Sequence, residues 1–344
     1  MATSCFSNFS VLVQVNSGML DMWCNWWTHY KKLKLENPVY VVAHGDDAIA
    51  ALVNEYGLPP ERLLAPPRMG AAGESGQLVG AASVRNFGSA SFYAFNTAKI
   101  RAARDLMAQT GRPVVFTDLD TAWLKSPLEQ LARLPSSKAF AIGPEGSHLD
   151  FAPKASTSAA APPPPATNKH YVCACFFAAC PSYSGVTMLD KWWTASGGAD
   201  GRANEQLAFQ WLLNLWPELI KGTTRNAGAA SPPRLSAASA AATLPTAARA
   251  VAARFSGDDA WLDELLANSS GFGAEGDDGP VAILPHYAFP TGRHDPPVTA
   301  HSVWVHANWI QRKTRASTTM AKRNRLAKHG LWSHSCEREV NRTT

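Results

Sequence analysis

The sequence predicts an α/β protein built on a mostly parallel sheet flanked by helices. Strand- and helix-type patterns alternate at short spacing from Phe9 to Tyr56, the arrangement that parallel sheets require. A short apolar run, Val114-Val115-Phe116-Thr117, leads straight into Asp118-Leu119-Asp120. The composition, 46% hydrophobic with 12 Trp, supplies enough apolar material for a large core and excludes global disorder.

Phe9 to Val15 is β-branched and apolar, reads as the first strand, and ends at the turn residues Asn16-Ser17-Gly18. Met19 to Lys34 reads as a helix, with Met22, Trp23, Trp26, Trp27 and Tyr30 at three- and four-residue spacings. Asn37-Pro38 stops it, and Val39 to Ala43 is a second strand. Asp46 to Tyr56 is a second helix, closed by Gly57 and Pro59-Pro60. Sheets of this kind bind ligands beyond the carboxyl ends of their strands, which is where Asn16 stands. Met69 to Ala82 is glycine-rich and reads as a loop. Ser91 to Thr110 then forms an amphipathic helix, capped by Gly111 and stopped by Pro113. Tyr171 to Ala179 reads as a buried strand, and Tyr183 to Trp193 and Ala203 to Trp216 as helices. Val281 to Leu284 and Ser302 to Val305 read as strands, and 311–332 as a basic helix at the end.

Two stretches, Ala152 to Thr167 with four consecutive prolines and the Ala/Ser/Pro-rich Gly222 to Ala253, cannot bury a core face. Ordinary complexity resumes after each, so the expectation is one domain over 1–344 carrying two surface inserts. No run approaches 18 apolar residues, so no transmembrane helix is expected, and Met1 to Cys5 lacks the features of a signal peptide. The six cysteines lack paired CxxC zinc spacing. For Cys173, Cys175 and Cys180, small core residues are the first reading and a disulfide the second.

The net charge of +5 is unevenly spread. No acid occurs from Pro296 to Cys336, and seven positives lie between Gln311 and Lys328, which leaves 25 positives against 27 acids elsewhere. A local basic segment suits a small anionic ligand better than a polyanion, and the aromatic-interleaved face of a nucleic-acid binder is absent.

The sharpest signal is the acid pair after the buried strand. At i and i+2 on extended chain, Asp118 and Asp120 share a face and can reach one hard cation, typically Mg²⁺ or Mn²⁺ with a diphosphate as its other ligand. The bland alternative is a solvated turn, with one acid capping a helix from Pro127. The second signal is Trp304-Val305-His306-Ala307-Asn308-Trp309 followed by the basic segment. His306 could complete a metal site and the basic residues neutralise phosphates, or the histidine could simply pack between tryptophans. Lys99 could reach a phosphate, but a solvated lysine between the Phe95 and Ile100 turns ranks above that. Trp192-Trp193 could stack on a sugar, with a core role ranked first. Glu205 could be only the N-terminal acid of a helix.

The chain resembles the nucleotide-diphospho-sugar transferases, and within them glycosyltransferase family 77, whose plant and algal members transfer arabinose, xylose or galactose. Five segments carry the resemblance. These are Asn16-Ser17-Gly18-Met19-Leu20-Asp21 with Asn25-Trp26; Phe116 to Pro127 with the DxD; Glu205-Gln206-Leu207-Ala208-Phe209; Leu284-Pro285 with Phe289-Pro290-Thr291-Gly292; and Val305 to Trp309 with Lys328-His329-Gly330-Leu331-Trp332. The resemblance implies a GT-A fold and a UDP-sugar donor bound through Mn²⁺ (or Mg²⁺). Asp118, Asp120 and His306 would be the metal ligands, and Asp118 and Asp120 would also meet the ribose. Asn16 and Ser17 would contact the nucleotide, and Asn308 and Lys313 would lie near the diphosphate. Glu205 and Gln206 would be the catalytic pair, with Glu205 beside the reacting sugar.

Retention of anomeric configuration is implied, with a cell-wall polysaccharide or hydroxyproline-rich glycoprotein as acceptor. So is a place in the Golgi lumen. Family members carry an N-terminal membrane anchor, whereas this chain begins almost at its first strand; a truncated gene model or an isolated luminal domain is the expectation. The triplets at Asn8, Asn268 and Asn341 fit N-glycosylation in such a compartment. His44-Gly45 stand where the family often has an acid, and Gln311-Arg312 where it has a glycine. The other readings are a non-catalytic nucleotide- or sugar-binding relative and, ranked lower, an aspartyl phosphatase, which would want Thr or Val at Ala122.

Overall fold

The structure is a computed structural model, and it describes residues 4–67, 90–144, 172–198, 204–215, 219, 279–284, 288–290, 299–307 and 315–336. The two stretches expected to be inserts, with Asn308 and Lys313, lie outside the described residues.

The predicted alternation is present. Strand β1 (Ser10–Asn16) leads through a 3₁₀ turn to α1 (Leu20–Lys32), then β2 (Val39–His44), α2 (Asp46–Asn54) and the short β3 (Leu63–Leu64). Helix α3 (Ala90–Thr110) precedes β4 (Val114–Thr117) and β5 (Thr121–Trp123), which are followed by α4 (Leu128–Ala132) and β6 (Phe140–Pro144). Then come β7 (Val172–Ala179), α5 (Tyr183–Ala195), α6 (Glu205–Leu215), β8 (Val281–Ile283), β9 (Trp304–His306) and α7 (Arg315–Lys328).

Seven strands form one sheet in the order β3-β2-β1-β4-β7-β6-β8. Within this sheet the pairings that exclude β7 are parallel, and β7 runs antiparallel to both β4 and β6. The sheet is therefore mostly parallel, with one reversed strand. Order and direction place the carboxyl ends of β1 and β4, with Asn16 and Thr117, on the same edge.

Every residue of β1 is buried, as expected for a strand covered on both faces. Its side chains alternate between two cores. Val11, Val13 and Val15 join Trp23, Trp26, Trp123 and Trp304, whereas Leu12 joins Ile100, Leu106, Phe140, Trp192 and Phe209 on the opposite face. The β6–β7 register breaks between Ile142 and Gly143, a bulge that leaves the consecutive residues Cys175 and Phe176 on the same face.

Helix α1 carries an aromatic ladder. Trp26 stacks on Tyr30 at 5.1 Å between centroids, and both meet the edge of Trp123. Truncating a fully buried ring such as Trp26 costs about 3–5 kcal/mol. The C-terminal segment is strapped to α1. Asn25 Oδ1 accepts from Ser333 N at 2.8 Å, His29 Nε2 lies 3.0 Å from Leu331 O, and Cys24 is bonded to Cys336. That strap, with Leu326 and Trp332 buried in the same core, holds α7 beside the carboxyl edge of the sheet.

The cysteines correct the first sequence reading. All six form disulfides, Cys5–Cys180, Cys24–Cys336 and Cys173–Cys175. The first two link positions far apart in sequence, and such pairings depend on topology rather than on spacing.

Candidate functional site: an acid pair, a histidine and two lysines

The acid pair sits in a bend between β4 and β5 whose shape is set locally. Thr121 Oγ1 donates to Asp118 O at 2.7 Å and lies 3.2 Å from Thr117 Oγ1, which also accepts from Trp123 Nε1 at 3.4 Å. Leu119 between the acids is 1% exposed and points into the core, so both carboxylates turn the other way. Strand β9 pairs antiparallel with β5, which sets His306 opposite Thr121, and Ala307 N donates to Asp120 O at 2.9 Å. Two backbone elements far apart in sequence are thereby pinned at one point.

His306 Nε2 lies 3.0 Å from Asp120 Oδ1 and 4.0 Å from Asp118 Oδ2. One ligand atom from each of Asp118, Asp120 and His306 falls within 4.8 Å of the others. Two carboxylate oxygens and an imidazole nitrogen are a donor set suited to Mn²⁺ or Mg²⁺, with coordination positions left for a substrate. The solvated-turn reading does not hold for Asp120, which is 7% exposed. Nor does either acid cap the following helix, because Ser126 Oγ accepts from Leu128 N at 3.1 Å.

Two lysines complete the cluster. Lys322 of α7 pairs with Asp120 Oδ2. Lys99 of α3 lies 3.1 Å from Glu205 Oε1 and 3.8 Å from Asp118 Oδ1, with its ammonium 4.9 Å from the centroid of the Phe116 ring. The expectation of a solvated Lys99 is therefore corrected, since it is 1% exposed. Its helix packs on the sheet, and the long stem carries the charge to the strand ends while the methylenes stay in the core.

These neighbours set the protonation states. Burial alone would raise the Asp120 pKa, but Lys322 and His306 override it and hold the carboxyl well below the usual carboxylate range. Asp118 goes the other way. Burial lifts it and Asp120 repels its charge, outweighing the help of Lys99, although 31% of its side chain meets solvent. Burial opposes the charge on Lys99, but Asp118 and Glu205 prevail and push its pKa up. Lys322 is likewise raised, by Asp120 against its own burial.

Of the other predicted residues within the described segments, Glu205 adjoins the cluster through Lys99, and Asn16 stands on the same edge of the sheet. Asn16 ends β1 in register with His44, and Ser17 opens the 3₁₀ turn after it. Glu205 is the first residue of α6; Asn204 Oδ1 accepts from Leu207 N at 2.9 Å, and Trp192 Nε1 donates to Glu205 O at 2.7 Å. Trp192 is thus a core residue, as ranked first. Gln206 Oε1 accepts from Ala174 N at 3.3 Å. Among the described residues, Asn16 Oδ1 and Glu205 Oε2 are buried without a hydrogen-bond partner, polar atoms that a ligand could satisfy.

Residues 40–225 match the profile of the nucleotide-diphospho-sugar transferases. The chain belongs to this family. A curated relative, a UDP-D-xylose:L-fucose alpha-1,3-D-xylosyltransferase MGP4 of Arabidopsis thaliana, is 24% identical over 198 residues, covering 55% of this chain and 49% of the relative. The chain thus spans about half the length of the curated relative it matches. Among solved structures, mouse xyloside xylosyltransferase 1 in its apo form aligns with TM-score 0.36 and 12% identity, covering 61% of this chain and 83% of that one. The galactosyltransferase LgtC in complex with donor and acceptor sugar analogues aligns with TM-score 0.33 and 10% identity, over 60% of this chain and 70% of that one.

Proposed function

We propose that this chain is a retaining, metal-dependent glycosyltransferase that moves a sugar from a UDP-sugar to a cell-wall polysaccharide or a hydroxyproline-rich glycoprotein. The observation that carries the reading is the convergence of Asp118, Asp120 and His306 at the carboxyl edge of the sheet, in a chain of this family. The name of the Arabidopsis relative makes UDP-xylose the first donor to try. Asp118, Asp120 and His306 would hold Mn²⁺ (or Mg²⁺), which when bound supplies positive charge to a departing diphosphate.

Asp120 is kept ionised and so is ready to ligate. Lys322, which pairs with Asp120 here, would release it to the metal and turn its ammonium toward the phosphates, with Lys313 and Asn308 close by in sequence. Asn16 and Ser17 would meet the nucleotide. Lys99 holds Glu205 and Asp118 in fixed relation, which suits Glu205 and Gln206 to orienting the reacting sugar rather than to a proton-transfer role. Charge growing on the leaving diphosphate would be met by the metal and by the Lys322 ammonium, a transition-state effect. The Golgi lumen is the compartment proposed, and three disulfides suit an oxidising lumen.

A second reading, a binding relative without turnover, draws on the seat of Lys322 against Asp120, where a cation is expected. Release of UDP from a panel of UDP-sugars separates the two. Manganese-stimulated UDP release, abolished in Asp120→Asn, is expected; UDP binding without release from any donor or acceptor would favour the second reading.

A further inference from the structure

His306 has two faces, and the carboxylates use only one of them. Its Nε2 points at Asp120 and Asp118, whereas its Nδ1 lies 3.7 Å from the Sγ of Cys173. Cys173, Cys175 and His306 form a second group of ligand atoms within 4.8 Å of one another, all buried. The bulge in β7 brings the two cysteine Cα atoms to 5.1 Å, with both side chains on the His306 side of the sheet.

We infer that Cys173, Cys175 and the Nδ1 of His306 form a second, thiolate-containing metal site, open to a soft divalent cation such as Zn²⁺ or Cd²⁺ once the Cys173–Cys175 disulfide is reduced. Zn–S bonds of about 2.3 Å and Zn–N bonds of about 2.0–2.1 Å at a tetrahedral angle separate sulfur and nitrogen by about 3.5 Å. The observed 3.7 Å is already at that separation. Reduction by a dithiol delivers two electrons and two protons to the sulfur pair and leaves the reductant as a disulfide. Metal binding then displaces the two thiol protons to solvent. Two thiolates balance the divalent charge, and the fourth position is left to water or a small anion.

The two sites exclude one another through the imidazole. A neutral imidazole has one lone-pair nitrogen; the other carries the proton. With a hard cation at the carboxylates, Nε2 ligates and Nδ1 bears hydrogen. With a soft cation at the sulfurs, Nδ1 ligates and Nε2 donates to Asp120 Oδ1, 3.0 Å away. The oxidised chain therefore presents the hard-metal site intact, and a reduced, soft-metal-loaded chain lacks its third ligand. This competition rests on the proposed role of Asp118, Asp120 and His306; the thiolate site itself does not.

The test uses the full chain, oxidised or treated with excess dithiol that is then removed, and titrated with Cd²⁺ alone. A near-ultraviolet thiolate-to-cadmium band is expected for the reduced chain and none for the oxidised one. The reduced Cys173→Ser/Cys175→Ser variant, checked for fold by its melting transition, should bind one equivalent of Cd²⁺ fewer, with the band smaller in proportion, the remainder being carried by the four other cysteines. An equal band and stoichiometry in that variant, or no band in the reduced wild type, overturns the proposal. Should the variant not fold, Mn²⁺ binding to the wild type, read by electron paramagnetic resonance, decides. One equivalent of Cd²⁺ should weaken it at least tenfold in the reduced chain and leave it unchanged in the oxidised chain, and equal affinities in the two would refute the inference. If the oxidised chain binds no Mn²⁺, the carboxylate-site reading fails, and the cadmium band still decides this one.

Discussion

Replacing Lys99 with methionine keeps the stem that packs beside Phe116 and deletes the charge that Glu205 and Asp118 face. Glu205 has a side chain only 8% exposed, so its carboxylate is left in the protein interior without its partner at 3.1 Å. Removing one member of a buried pair typically costs 3–5 kcal/mol, because the survivor stays desolvated. Asp118 is 31% exposed and can recover some hydration, so the lower end, about 3 kcal/mol, is expected. Urea unfolding of Lys99→Met against wild type reads this as a drop in midpoint at unchanged slope. The double variant Lys99→Met/Glu205→Gln removes the stranded charge and should recover about 1–2 kcal/mol of the loss. A cost within about 0.5 kcal/mol for Lys99→Met, or strictly additive effects in the double variant, would refute the claim that the lysine is an interior counter-charge.

Lys322→Met frees an oxygen of Asp120, so Mn²⁺ binding without nucleotide should tighten about five- to tenfold, while UDP binding in the presence of Mn²⁺ weakens; calorimetry of both reads it. The acid limb of stability should flatten in Asp120→Asn. A carboxyl with a depressed folded pKa stabilises the protein above its unfolded value, about 3.9, and that contribution is lost as pH falls through the folded value. Asp118 has a raised folded pKa, so its contribution runs the other way: stability falls as pH rises between its unfolded and folded values, and Asp118→Asn should steepen the acid limb. Gly185→Ala places a methyl 2.2 Å from the carbonyl oxygen of Cys180, a backbone atom that cannot swing aside, and should cost about 1–3 kcal/mol in thermal or urea unfolding.

The first two strands, the first two helices and the strand into Asp118 were legible because each rests on local pattern: β-branched runs, helical spacing of tryptophans, and Gly or Pro stops. The acid pair and His306 were legible by residue type, and β5 pairing with β9 is what joins them. What stayed hidden is non-local. The reversal of β7 depends on which strand it pairs with, and Tyr171 to Ala179 reads as the same apolar run in either direction. Lys99 reads as a surface residue because its helix is amphipathic, and only the packing of α3 on the sheet turns its ammonium toward Glu205. Lys322 was one of seven positives in the basic segment, and its pairing depends on the strap that Cys24–Cys336 and Asn25 make with the chain end. A lysine flanked by apolar helical residues, just upstream of a strand that ends in acids, is the signal that could have ranked Lys99 higher.

In the proposed mechanism, nucleotide and divalent cation meet at Asp118, Asp120 and His306. Calorimetric titration of UDP into the oxidised chain, with Mn²⁺ and with EDTA, on wild type and Asp120→Asn, tests it most directly. Binding that requires Mn²⁺ and is lost in the variant is expected. Binding of equal strength in EDTA, or undiminished in Asp120→Asn, would contradict it.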